Sequence, residues 1–335
     1  MRSARLTLAL DQGALVLPPS GVIAVVRPGA EDDLSPLPAE RVTVVTGFRP
    51  AHEAQAARGL TVARDLPPGM TAAILCLPRA RDQARALLQA LAAALPPGAP
   101  LAVDGQKTDG IEALWRDLRD LGMAPGAPLS KAHGKLFVLP AAPLPADWAA
   151  ADRVVEGGFV TRPGVFSADG PDAGSALLAA ALPAGLRGRV IDLGAGWGYL
   201  AARALATAPG ITRLDLVEAE ADALDCARRN VTDPRAVFHW ADATRFRPDR
   251  PADHVLCNPP FHAGREADPT LGAAFIAAAA AMLAPDGTLW LVSNRHLPYE
   301  PVLTARFRTV DDLGGTSRFR LTRAHRPLRG PAGRA

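Results

Sequence analysis

The chain has 335 residues, of which 48% are hydrophobic, 21% charged and 5% aromatic. At roughly 100–200 residues per domain this length suggests two domains, and the composition excludes a disordered or fibrous chain and predicts cores of Ala, Leu and Val. The 37 basic and 34 acidic residues leave a net charge of +3, too balanced to mark a nucleic-acid or membrane-surface protein by charge alone.

At the start of the chain Asp11 interrupts the apolar run after Leu10. Leu271 to Pro285, the longest nearly uncharged apolar stretch, is shorter than the ~20 residues of a membrane span. Neither a signal peptide nor a membrane segment is expected. Cys76, Cys226 and Cys257 are too scattered for a disulfide framework or a metal site. A reducing cytoplasm is therefore the expected compartment. The histidines lack ligand spacing, so no metal is expected.

In the first half, strands are expected at Gly21–Val26, Arg41–Gly47, Thr71–Leu77 and Pro100–Asp104. Helices are expected at Ala51–Arg58, Ala80–Ala94 and Gly110–Leu121. This alternation predicts a parallel sheet flanked by helices. The stretch Leu139 to Trp148, with Pro140, Pro143 and Pro145, reads as a linker, placed at 141–160. The second half alternates more clearly. Strands are expected at Arg189–Leu193, Arg213–Glu218, Ala236–Trp240, Asp253–Cys257 and Thr288–Ser293, and helices at Tyr199–Ala208, Glu220–Asn230 and Thr270–Leu283. Arg306–Asp312, Gly314-Gly315 and Arg318–Arg323 read as a closing hairpin.

One pair of segments looks duplicated. Ala73-Ile-Leu-Cys-Leu-Pro78 precedes an Ala/Leu helix and Leu95-Pro-Pro-Gly98; His254-Val-Leu-Cys-Asn-Pro259 precedes an Ala helix and Leu283-Ala-Pro-Asp-Gly287. If the halves are related, the first has lost its chemistry. It has no glycine-rich loop, and Leu77 stands where Asn258 stands.

Val190-Ile-Asp192-Leu-Gly194-Ala-Gly196-Trp-Gly198-Tyr199 places an apolar strand, then alternate glycines, then a helix start. Glycine lets the backbone approach a ligand closely, and the helix start offers free N–H groups. Dinucleotide enzymes need G-x-G-x-x-G, whose third glycine is here Tyr199. The observed D-x-G-x-G-x-G resembles motif I of class I methyltransferases, which bind S-adenosylmethionine. Glu218 ends the next strand, where a carboxylate can accept both ribose hydroxyls or face solvent near a helix start. Asp242 ends the strand after that. The resemblance puts it near the adenine amino group, and an ordinary turn role is open to it too.

Asn258-Pro259-Pro260-Phe261-His262 follows the strand at Asp253–Cys257. At this place it resembles motif IV of amino-group methyltransferases. A ring-conjugated amine is a poor nucleophile, because its lone pair is delocalised. The Asn258 side-chain oxygen and the Pro259 carbonyl can each accept one of its N–H groups. Pro259 and Pro260 stiffen the loop and keep these acceptors preorganised. Phe261 offers a face on which a base can stack. His262 reads as a loop or substrate contact ahead of a catalytic base.

Further stretches make the resemblance specific. They are Arg162-Pro-Gly-Val-Phe166-Ser167-Ala-Asp-Gly170, Asp172-Ala-Gly-Ser175, Leu289-Trp-Leu-Val-Ser-Asn294-Arg295-His-Leu-Pro-Tyr-Glu300 and Ser317-Arg-Phe-Arg320. With them the second half resembles the bacterial rRNA guanine-N2 methyltransferases of the small-subunit methyltransferase C family. The resemblance implies an α/β fold of two tandem class I methyltransferase-like (Rossmann-like) domains. Each is a mostly parallel sheet with helices on both faces, and the C-terminal one ends in an antiparallel hairpin. It implies a degenerate, non-catalytic domain at 1–140 with an RNA or structural role, a catalytic domain at 161–325 and a basic tail at 326–335. S-adenosylmethionine is the implied cofactor. The implied partner is rRNA within the 30S subunit, met by a monomer. Phe166 and Ser167 would close the cofactor pocket with Asp192, Gly194, Gly196, Gly198, Glu218, Asp242 and Asn258. Asn294 and Arg295 would lie beside the base with Phe261 and His262, although a turn cap and an ion pair are equally open to them. The arginines after Asp312 fit either an RNA-contacting edge or a solvated tail.

Three rivals remain at this level: a 23S rRNA enzyme of the same tandem plan, a protein glutamine-N5 methyltransferase, and an rRNA-docking assembly factor without catalysis. The glutamine enzymes carry a helical first domain, so the architecture of residues 1–140 discriminates them. Tyr199 disfavours a nicotinamide enzyme.

Overall fold

The computed structural model describes residues 2–260 and 269–328. Two units divide the chain, Met1–Asp152 and Arg153–Ala335. The first runs α1 (Arg2–Asp11), β1 (Val22–Val26), β2 (Val42–Val45), α2 (Arg49–Ala57), β3 (Thr61–Ala63), β4 (Met70–Cys76), α3 (Arg81–Ala94), β5 (Pro100–Gln106), α4 (Ile111–Asp120), β6 (Leu129–Lys131) and β7 (Gly134–Pro140). Its seven strands lie in the order β3-β2-β1-β4-β5-β7-β6. All pairs are parallel except β5–β7 and β6–β7. β1 is an unbroken apolar run, and β4 is interrupted by Thr71 alone, because both faces of a parallel sheet are covered. α4 buries Ile111, Leu114 and Leu118, one stripe at helical spacing. At the carboxyl end of this sheet Asp104 of β5 and the Arg5 guanidinium are both fully buried and bonded at 3.0 Å.

The second unit opens with the hairpin β8 (Arg153–Val155) and β9 (Phe159–Thr161). It continues α5 (Ala173–Ala181), β10 (Arg187–Leu193), α6 (Tyr199–Thr207), β11 (Gly210–Glu218), α7 (Ala221–Asn230), β12 (Ala236–Trp240), β13 (Ala252–Cys257), α8 (Pro269–Met282), β14 (Leu283–Asn294), α9 (Glu300–Arg306), β15 (Phe307–Gly315) and β16 (Phe319–Pro327). Its sheet order is β12-β11-β10-β13-β14-β16-β15, the order of the first sheet repeated strand for strand. The fold class expected from the sequence is the fold observed, with the closing pair β15–β16 antiparallel.

The expected linker at 141–160 is corrected at both ends. Ala141 and Trp148 are buried in the first unit's core, and 153–161 form the β8–β9 hairpin of the second. Residues 326–327 complete β16, so they are not tail. Pro143 and Pro145 hid the buried stretch at the first end, and strands of three residues each hid the hairpin at the second. Among the described residues no helix is long and apolar enough to cross a membrane.

Candidate active site

The second sheet changes direction between β10 and β13: β11 and β12 extend it one way, β13 and β14 the other. A doubly wound sheet opens a crevice at that point, outside the carboxyl ends of its strands. Register sets what faces it. Leu193 of β10 pairs with Val217 of β11 and with Cys257 of β13. The next residue on each strand, Gly194, Glu218 and Asn258, therefore leaves the sheet at one level.

The glycine loop bends through φ values of 80°, 54° and 89° at Gly194, Gly196 and Gly198. The Gly194 and Ala195 N–H groups donate to Val217 O at 2.9 and 3.1 Å. A Cβ at Gly196 would meet nothing within 4 Å, whereas one at Gly198 would stand 2.9 Å from Val231 and 3.2 Å from Ala227 of α7. Gly196 thus faces open space, and Gly198 serves the packing of α6 onto α7. A cleft forms there, lined by Phe166, Ser167, Asp172, Ser175, Gly194, Ala195, Gly196, Trp197, Tyr199, Leu200 and Asn258. Five of the residues expected at the site, Phe166, Ser167, Gly194, Gly196 and Asn258, meet in it.

Glu218 touches the loop directly. One carboxylate oxygen accepts the Gly196 N–H at 2.8 Å, the other the Glu220 N–H at 2.7 Å. Burial pushes its carboxyl above the usual range, against the pull of those N–H groups. Asp192 stands behind the loop, fully buried. Its Oδ2 accepts the Ala201 N–H at 3.0 Å, and its Oδ1 has no hydrogen-bond partner among the described residues. Burial raises its carboxyl from 3.8 to about 7, with Glu218 adding repulsion. A folded-state value above the unfolded one means that folding retains a proton. Stability from Asp192 is full below about pH 4 and is lost as pH rises through about 7. Asp192→Asn should remove this slope. Thermal unfolding of ligand-free protein across that range should show the wild-type Tm falling relative to the variant, and a constant difference would contradict it.

The segment bearing Phe166 and Ser167 is fastened over the loop by residues the sequence did not single out. Trp197 Nε1 donates to Phe166 O at 2.9 Å, and its ring lies 5.2 Å from Phe159 and 5.7 Å from Tyr199. Asn230 Oδ1 accepts the Val160 N–H at 2.7 Å, while its Nδ2 donates to Val160 O and Trp197 O at 2.8 and 2.9 Å. Ser167 holds φ 52° and donates its hydroxyl to Gly170 O at 2.7 Å.

Asn258 Nδ2 donates to Asp172 Oδ2 at 2.9 Å and to Ser175 Oγ at 2.8 Å. Pro259 is buried and Pro260 exposed. Phe261 and His262 lie outside the described residues. Asp242 is not among the cleft residues; its Oδ1 accepts the Thr244 N–H and hydroxyl at 2.8 and 2.7 Å, a turn role. Asn294 is buried at the end of β14, with Oδ1 lacking a hydrogen-bond partner among the described residues. Arg295, expected beside the base, is exposed. Its Nε donates to Thr316 O at 3.0 Å and its backbone N–H to Arg318 O at 2.9 Å, which holds the β15–β16 turn. Among the described residues no group of three His, Cys, Asp or Glu could hold a metal ion.

Residues 156–323 match the methyltransferase small domain family. The ribosomal RNA small subunit methyltransferase C of Alteromonas mediterranea is 30% identical over 264 residues, 76% of this chain and 73% of that protein. The ribosomal RNA large subunit methyltransferase G of Shewanella amazonensis is 38% identical over 166 residues, 48% of this chain and 43% of that protein. Among solved structures, the 16S rRNA N2 methyltransferase of T. thermophilus, in complex with AdoMet and guanosine, superposes with a TM-score of 0.78 and 28% identity, covering 97% of this chain and 91% of that one. The second unit thus carries the methyltransferase domain and the likeness extends through the first, so the chain belongs to the ribosomal RNA small subunit methyltransferase C family.

Proposed function

We propose that this chain transfers a methyl group from S-adenosylmethionine to the exocyclic N2 of a guanine in 16S rRNA, within the 30S subunit, acting as a monomer in the cytoplasm. The observation that carries the reading is the Asn258 amide beside the glycine loop, with Nδ2 bonded to Asp172 and Ser175. Both amide N–H groups are directed inward, which leaves Oδ1 as an acceptor for an incoming amine.

The cleft fits the cofactor. Gly196 leaves the space that a Cβ would fill, and α6 begins at the loop. Each Glu218 oxygen accepts one backbone N–H. A carboxylate offers about four acceptor positions, so two remain for ribose hydroxyls. Phe166 and Ser167 would cover the ligand from above, and Asp242 would reach its base. When bound, S-adenosylmethionine supplies an electrophilic methyl on a sulfonium. The chain's own work is orientation. Asn258 Oδ1 and the Pro259 carbonyl would each accept one guanine N–H, turning the nitrogen lone pair toward the methyl. Phe261, and beyond it His262 and Asn294, would flank the base. Holding two reactants in attack geometry can contribute up to roughly 7–11 kcal/mol. The methylated nitrogen then loses its proton to water.

Two observations favour 16S rRNA over the rivals. The small-subunit relative covers 76% of the chain, whereas the large-subunit relative matches 48%. The first unit is a seven-stranded α/β sheet, not the helical domain of a glutamine methyltransferase. Leu77 stands where the second unit has Asn258, and the first unit has no glycine-rich loop, which supports a non-catalytic role for it. Incubation with labelled S-adenosylmethionine and separate 30S subunits, 50S subunits and naked rRNA, followed by mass mapping, tests the proposal. Label on guanine N2 of 16S rRNA in the 30S sample is expected. Label confined to 23S rRNA or to protein would reject it.

A further inference from the structure

We infer that Asp172, with Ser175 as its helper, is the positioning residue that fixes which way the Asn258 amide points. The inference rests on Asn258 being the amine acceptor. An asparagine amide can turn over in place, exchanging its oxygen and nitrogen, and the two orientations have opposite hydrogen-bonding character. Only the one with Oδ1 outward can receive a guanine N–H; the other would present N–H to N–H.

The surroundings decide between them. Asp172 Oδ2 lies 2.9 Å from Asn258 Nδ2. An ionised carboxylate only accepts, so a turned amide would set two lone-pair oxygens against each other at hydrogen-bond distance. Ser175 Oγ, 2.8 Å from the same nitrogen, can donate or accept and would tolerate either orientation. The choice therefore falls to Asp172. Asp172 is itself fixed, because the same Oδ2 accepts the Ser175 N–H at 2.8 Å and caps α5. A helix start thus holds a carboxylate, the carboxylate orients an amide, and the amide meets the substrate. A charge-assisted bond also draws electron density toward Oδ1 and strengthens it as an acceptor.

Asp172→Ser separates this role from the cap, because Ser caps a helix about as well as Asp, but its shorter hydroxyl can donate as well as accept and no longer dictates the Asn258 orientation. With saturating S-adenosylmethionine and 30S subunits, kcat should fall about 10–100-fold, the worth of a hydrogen bond to a charged group. The KM for subunits and the Tm should hold. The Asn258 side-chain amide protons, seen by nitrogen-edited NMR, should shift as their carboxylate partner is lost. Ser175→Ala should cost less than about tenfold, and Ser175→Thr, which keeps the hydroxyl, should restore the rate. Asp172→Asn is the conservative control, because the oxygen that caps α5 is the one that meets Asn258 and Asn can keep both bonds, so it should retain most of the rate. Asp172→Gly, also cap-competent, repeats the test should Asp172→Ser fold poorly. Wild-type kcat in folded Asp172→Ser or Asp172→Gly, or a lost rate with unmoved Asn258 resonances, would overturn the inference. Asn258→Ala measured alongside distinguishes the failures. An active Asn258→Ala removes the acceptor reading itself, whereas an inactive Asn258→Ala beside a fully active Asp172→Ser removes only the role of Asp172.

Discussion

Asn258→Ala is expected to lower kcat for methyl transfer roughly 10²–10³-fold, the usual cost of deleting one preorganised hydrogen-bonding group aimed at a reacting centre. The KM for S-adenosylmethionine should hardly change, because the glycine loop and Glu218, which would carry most of its binding, lie on other strands. The fold should also survive. Asp172 keeps its bond to the Ser175 N–H, so α5 remains capped, and Asn258 is not part of any of the hydrophobic cores. Steady-state kinetics on 30S subunits, with calorimetric cofactor titration of the same sample, checks the split. Wild-type kcat in the variant would reject Asn258 as the amine acceptor.

Gly196→Val should abolish cofactor binding. The residue holds φ 54°, a left-handed conformation that costs an L-residue about 1–2 kcal/mol and a β-branched one more. Where the empty loop relaxes out of this conformation, about 1–2 kcal/mol of strain is worth roughly 5–30-fold in affinity, and the new side chain would also occupy the open space against which the loop is built. Gly198→Ala offers the contrast. Its Cβ would press on Val231 and Ala227, so its effect should appear in Tm. Calorimetry with S-adenosylmethionine distinguishes the two, and unchanged binding in Gly196→Val would refute the loop assignment.

The sequence was legible where chemistry and backbone geometry coincide. Gly194, Gly196 and Gly198 could be placed because glycine takes their positive φ without a side-chain penalty. Glu218 and Asn258 could be placed because each directly follows an apolar strand. The duplicated punctuation around Pro78 and Pro259 matched two sheets of identical strand order. The other elements lacked a local signature. α5, Ala-Gly-Ser-Ala-Leu-Leu-Ala-Ala-Ala, is apolar on every side and shows no stripe. β8 and β9 have three residues each. The parts of the site that depend on distance along the chain were also hidden. Asn258 meets Asp172 and Ser175 across 86 and 83 positions, and Asn230 meets Val160 across 70. An acid three residues before Ser175 at the head of an apolar run did carry a cap signal; its second use toward Asn258 needed the fold. On sequence alone Arg295 was open to a substrate contact or an ion pair; the fold bonds its side chain to a turn carbonyl 21 residues on.

One measurement tests the whole account most directly: a crystal structure of this chain with S-adenosylhomocysteine and guanosine. The thioether should lie over Gly194–Gly196 with the ribose on Glu218, and the guanine N2 should stand about 2.7–3.2 Å from Asn258 Oδ1. A nucleoside sulfur bound elsewhere, or a guanine amine held away from Asn258, would contradict it.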